Sequence, residues 1–145
     1  MISLEIQNIL GYLLNTSARF IKRKMDKELE TYNITTSQWA ILKLLDSKKQ
    51  LTQAQIADAL LGDRSTAGTV IFKLIEKEYV EKNLASDDRR SYVVRLTPKA
   101  KGIIENIEKK AEDLSTLALK GLGEDEINVL FRSLKKIISN LSEGE

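Results

Sequence analysis

Ser86-Asp87-Asp88-Arg89-Arg90-Ser91-Tyr92-Val93-Val94-Arg95-Leu96-Thr97-Pro98 is the stretch whose reading decides the fold. Two acids and two arginines stand between two strand-like runs, Lys82 to Ala85 and Tyr92 to Leu96. In the second run Tyr92, Val94 and Leu96 alternate with Val93, Arg95 and Thr97, the period of a half-buried strand. A polar cluster between two such runs predicts a hairpin with its tip in solvent. Paired arginines on a solvated tip suit the minor groove of DNA, where negative potential is concentrated. The same residues also suit a polar turn with no specific task. What precedes the hairpin separates the two readings.

Three short helical patterns lie upstream. Thr35-Thr36-Ser37-Gln38 has the spacing of a capping box, and Trp39, Ile41, Leu42, Leu44 and Leu45 follow at helical spacing. Thr52-Gln53-Ala54-Gln55 repeats the box ahead of Ile56, Ala57 and Leu60, and Gly62 breaks the run. Asp63 is a good N-cap for a helix from about Arg64 to Lys77. Two short helices joined by a tight turn, followed by a hairpin, make a winged helix-turn-helix.

At 100° per residue, Ala67, Val70, Ile71 and Leu74 form the stripe of this last helix that should be buried. Ser65, Thr69, Phe72 and Glu76 fall opposite, with Thr66 and Lys73 on the flank. Small hydroxyl residues let a helix approach base edges, and Arg64 and Lys73 suit phosphates, which position the protein without reading sequence. Ser65 and Thr66 taken singly are equally at home in the first turn of a solvated helix. Phe72 on the outward face is expected to pack against the wing; contact with a thymine methyl, or a rotated helix, are the other readings.

Taken together, these residues resemble the MarR family of transcriptional regulators. The resemblance is carried by Ile34-Thr35 with Gln38-Trp39 and Leu42, by Leu51-Thr52-Gln53 with Ile56-Ala57, and by Asp63-Arg64-Ser65-Thr66. Asp88-Arg89-Arg90 and Leu96-Thr97 complete it. It implies a homodimer on a pseudo-palindromic operator of double-stranded DNA, with the third helix of the lobe in the major groove and the wing in the minor groove. It also implies that one wing arginine, Arg89 or Arg90, reaches DNA while Asp88 pairs with the other to hold the tip. Two positions depart from the pattern. Glu78 stands where the family usually has glycine, so the turn there is expected to differ, since a left-handed residue costs energy for Glu. Thr69 stands where the family often has arginine, which leaves a threonine in place of a guanine-binding side chain.

Composition narrows the function further. The chain has 145 residues, 42% of them hydrophobic, enough for one substantial core. No apolar run is long enough to span a bilayer, and the N-terminus lacks the organisation of a signal peptide, so a cytoplasmic location is expected. There is no cysteine and no histidine. That excludes a thiol sensor, removes the usual ligands of zinc and copper, and leaves Ser-His-Asp or Cys-His catalysis without its residues. No phosphate-binding glycine loop and no EF-hand spacing appear. The chain is therefore read as a regulator without cofactor or metal and not as an enzyme, leaving open only a Lys or carboxylate mechanism. Net charge is +2, and Thr35 to Pro98 holds ten Lys and Arg against eight Asp and Glu. Any field that attracts DNA must come from placement, with Arg64, Lys73, Arg89, Arg90 and Arg95 on one side.

The predicted fold is mainly α with a small β-hairpin wing. A winged helix-turn-helix DNA-binding lobe over residues 34–98 is flanked by helical dimerisation regions at 1–33 and 99–145. Ile6, Ile9, Leu10, Leu13 and Leu14 line one face of the first helix, continued by Phe20, Ile21, Met25 and Leu29. Ile103 to Leu117 and Ile127 to Leu141 carry stripes on two C-terminal helices. A second copy would cover this apolar surface; a monomer would have to cover it by packing its terminal helices on each other. A helical protein-interaction module built on the same fold is the alternative function. Relatives in the family often bind small aromatic or phenolic acids. Arg19, Phe20 and Arg23 near Trp39 would suit an anionic aromatic effector.

Overall fold

Each helix of the lobe starts where a side chain satisfies the free donors of its first turn. The computed structural model describes residues 4–60, 62–85 and 88–142, with side chains other than those of 4, 6–8 and 88–90. In chain order the elements are α1 (Leu4–Glu30), α2 (Thr36–Lys48), β1 (Gln50–Leu51), α3 (Gln53–Ala59) and α4 (Arg64–Glu76). Then come β2 (Val80–Ala85), β3 (Asp88–Leu96), α5 (Pro98–Ala118) and α6 (Glu124–Ser142). Both capping boxes form. Thr35 Oγ1 accepts from Gln38 N–H at 3.1 Å while Gln38 Oε1 accepts from Thr35 N–H at 3.1 Å. Thr52 and Gln55 exchange the same pair at 3.1 and 2.8 Å. Asp63 caps α4, and Thr97 caps α5 ahead of Pro98 in its first turn.

The core joins the lobe to the inner halves of its flanking helices. Leu42, Leu45, Ile56, Leu74 and Val94 are fully buried, and Met25 and Leu29 of α1 and Ala100, Ile104 and Ile107 of α5 pack into the same cluster. The outer halves differ. Ile9, Leu10 and Leu13 of α1, Leu117 of α5, and Phe131, Ile138 and Leu141 of α6 are exposed. No residue of α6 is buried. The terminal helices therefore do not cover one another within one chain. No helix among the described residues is long and apolar enough to cross a membrane.

Several expectations need correction. The wing is part of a three-stranded antiparallel sheet in the order β1-β3-β2, with Gln50 opposite Arg95 and Leu51 opposite Val94. The strands also run further than their alternation indicates, so Asp88, Arg89 and Arg90 belong to β3 rather than to a free tip. Leu84 faces Tyr92 but Ala85 faces Asp88, which carries Arg89, Arg90 and Ser91 in an irregular bulge of β3. Bulges twist a strand locally and re-aim its side chains. Alternation predicts a half-buried strand, yet Val93 and Val94 point to opposite faces of β3 and both are buried, so both faces of the strand are covered there. Phe72 does not pack on the wing. It is 61% exposed, while Ala67, Ile71 and Leu74 are buried, so the helix is not rotated and the ring stands in solvent.

The turn at Glu78 also differs from expectation, because it is kept. Glu78 adopts φ 64°, its N–H donates to Ile75 C=O at 2.9 Å, and Tyr79 N–H donates to Leu74 C=O at 3.0 Å. This is a Schellman end with a left-handed residue at C′. Asn33 closes α1 the same way at φ 54°, with Asn33 N–H on Glu30 C=O and Ile34 N–H on Leu29 C=O. Asparagine tolerates that region; glutamate does so only at a cost.

Candidate nucleic-acid interface

The helix-turn-helix is fixed by contacts between the starts of α3 and α4. Gln53 Nε2 donates to Arg64 C=O at 2.8 Å across the turn. Its amide lies where Gly68 has no side chain: a β-carbon there would sit 2.6 Å from Gln53 Nε2. Glycine at this position lets the two helices approach closely. Asp63 accepts from Thr66 N–H at 2.7 Å and from Thr66 Oγ1 at 3.0 Å. The Thr66 N–H first, and the Thr66 hydroxyl second, hold the Asp63 carboxyl below its ordinary pKa.

The outward face of α4 carries the residues that its projection assigns there. Arg64, Ser65, Thr66, Thr69 and Lys73 are all exposed, beside Phe72 and Glu76. Two of the hydroxyls donate within the helix, Thr66 to Asp63 and Thr69 Oγ1 to Ser65 C=O at 3.2 Å. Toward a base edge they offer lone pairs and methyl groups. Asp88, Arg89 and Arg90 enter only through their backbone; their side chains lie outside the described residues. Arg95, grouped by sequence with the DNA-facing cations, hydrogen-bonds Gln50 Oε1 on β1.

Between the starts of α3 and α4 and the wing lies a cleft of about 320 Å³. Arg64 and Gln53 line one side, Lys82 and Tyr92 the other. Tyr92 is half exposed, and the Lys82 ammonium stands 5.4 Å from its ring centroid. Sequence reasoning did not single out Gln53, Gly68, Lys82 or Tyr92 as parts of the site. Gln53 looks like an ordinary first-turn residue, and Lys82 like one of many surface lysines.

The wing root is tied to the helical flanks. Thr97 Oγ1 donates to Glu78 C=O at 2.6 Å, and Lys99 Nζ to Lys77 C=O at 2.9 Å. Lys77 Nζ, at the end of α4, donates to Asn33 C=O at 2.5 Å and to Gln38 Oε1 at 2.9 Å. The end of the exposed helix is thereby bonded to the end of α1.

The candidate effector residues fall into two groups. Arg19 and Arg23 stand 5.7 and 5.6 Å from the ring centroid of Phe20, which is exposed. Trp39 instead lines an apolar cavity of about 300 Å³ with Ile21, Met25, Leu114, Phe131 and Leu134. Arg19, Phe20 and Arg23 are not among the residues that line it.

The MarR family pattern matches residues 34–92. The HTH-type transcriptional regulator YwoH of Bacillus subtilis (strain 168) is 32% identical over 127 residues, covering 88% of this chain and 85% of that protein. A mutant MarR from E. coli complexed with operator DNA superposes with a TM-score of 0.83 at 25% identity, covering 94% of this chain and 99% of that one. The S. aureus MepR–DNA complex also gives 0.83 at 25% identity, covering 91% and 96%.

Proposed function

We propose a working scheme from one premise: this chain belongs to the MarR family. It is a DNA-binding transcriptional regulator. In the scheme it is a cytoplasmic homodimeric repressor, not an enzyme, and it recognises a pseudo-palindromic operator. Residues 34–98 form the DNA-binding lobe, and 1–33 with 99–145 form the dimerisation region. The observation that carries the reading is the exposed face of α4, with Ser65, Thr69 and Phe72 clear of the core beside a wing. That helix enters the major groove, with Ser65, Thr66 and Thr69 toward base edges and Arg64 and Lys73 toward phosphates. One of Arg89 and Arg90 enters the minor groove while Asp88 restrains the other.

The dimer is supported by the apolar residues that one chain leaves open on α1 and α6. A second copy of the same helices buries them, and two-fold symmetry then presents two α4 helices to one duplex. An aromatic effector in the Trp39 cavity, with Arg19 and Arg23 flanking Phe20 on the same helix, would alter how α1 sits. Lys77 passes that change to α4 through Asn33. A ligand that prefers the DNA-incompetent arrangement lowers operator affinity by linkage.

Selection of bound duplexes from random DNA, followed by footprinting, tests the scheme. A symmetric site with half-sites about 10 bp apart supports it. Equal affinity for every duplex, or no binding at low salt, points to the interaction-module alternative. Sedimentation of a concentration-independent monomer refutes the dimer.

A further inference from the structure

We infer that the cleft between α4 and the wing is a seat for one DNA phosphate, contacted by Lys82 and shaped by Tyr92; the inference rests on the DNA-binding reading above. When a helix lies in the major groove and a hairpin in the neighbouring minor groove, one phosphate strand separates the two grooves. That strand must cross the concavity between helix and hairpin. Here the concavity is the cleft of about 320 Å³ with Arg64 on its α4 wall and Lys82 on its wing wall. Two cations from separate elements thus flank the path of a chain of anions. Strand alternation puts Glu81 and Asn83 on the opposite face of β2 from Lys82. Lys82 is exposed and makes no ion pair with a carboxylate among the described residues. The Tyr92 ring holds the ammonium on the cleft side through a cation–π contact, 5.4 Å from nitrogen to centroid. Lys82 is therefore a contact residue and Tyr92 a positioning residue. Both fix the register of the protein on the duplex without reading bases.

The test is a salt titration of affinity for the duplex the wild type selects, between about 50 and 200 mM salt. Lys82→Gln should lower the magnitude of the slope of log affinity on log salt by about 0.9 per protomer. Lys82→Arg should restore it, with base preference unchanged throughout. Lys120→Gln, which removes the same charge from the turn between α5 and α6, should leave the slope alone. Tyr92→Ala should weaken binding in the wild type but add nothing in a Lys82→Gln background. An unaltered slope in Lys82→Gln, with the wild type binding normally, overturns the inference alone. Additive losses from Lys82→Gln and Tyr92→Ala overturn the positioning role of Tyr92. A wild type that binds no duplex overturns the DNA-binding reading and this inference with it.

Discussion

Replacing Glu78 by glycine should stabilise the protein. Glu78 holds φ 64° at the C′ position of α4, where its N–H and that of Tyr79 close the helix on Ile75 and Leu74. A side chain in the left-handed region costs about 1–2 kcal/mol, which glycine avoids. Glycine gives back about 0.5–1 kcal/mol through the greater freedom of its unfolded chain. The Glu78 carboxylate makes no ion pair among the described residues, and the bond from Thr97 Oγ1 goes to the main-chain carbonyl, which glycine retains. The two ranges leave a net gain of about 0–1.5 kcal/mol, with a midpoint of about 0.75 kcal/mol, or about 2–3 °C in melting temperature for a chain of this size. Thermal unfolding by circular dichroism, at one fixed protein concentration because dimerisation couples to stability, measures it. Glu78→Ala is the control: it removes the charge but keeps the β-carbon, and should gain little. A Glu78→Gly protein no more stable than wild type, or an alanine variant that gains as much as the glycine one, would refute the reasoning.

Gly68→Ala should be nearly neutral alone, because about 1 kcal/mol of helix propensity offsets about 0.5–1.5 kcal/mol for the displaced bond from Gln53 to Arg64. In a Gln53→Ala background, which empties the space, the same change should stabilise by about 1 kcal/mol in urea unfolding; the same value in both backgrounds would disprove the coupling. Asp63→Ala should lower the melting temperature at neutral pH, whereas Asp63→Asn should keep most of the cap. Because the folded carboxyl titrates below its ordinary value of 3.8, its contribution is present above that pH and disappears as pH falls through the folded pKa; an acid limb identical in wild type and Asp63→Asn would contradict this. Ile138→Glu should give a folded monomer by sedimentation with unchanged helical signal, since this side chain is exposed in a single chain; a dimer that survives would exclude α6 from the interface. Alanine at both Arg89 and Arg90 should reduce the salt slope by about 0.9 per lost contact, while Thr69→Ala should shift base preference with the slope unchanged.

What the sequence determined by itself is short-range. Thr35 with Gln38, Thr52 with Gln55, Asp63 and Thr97-Pro98 mark four helix starts because a cap is made by residues three apart, whatever the rest of the chain does. The stripe from Ala67 to Leu74 gave the orientation of α4 because helical periodicity is itself a local property. Residues far apart in sequence had no such signal. A two-residue strand has no period, so Gln50 and Leu51 become β1 only because β3 lies alongside. The bulge at Arg89 to Ser91 comes from pairing between strands, and Phe72 stays in solvent because no other element among the described residues covers its face of α4. Glu78 takes a left-handed turn against its own preference because the core behind Leu74, Tyr79 and Val80 requires the chain to reverse there. The cleft follows the same rule: Arg64, Lys82 and Tyr92 are unremarkable surface residues until packing sets α4 against the wing and turns them toward one space.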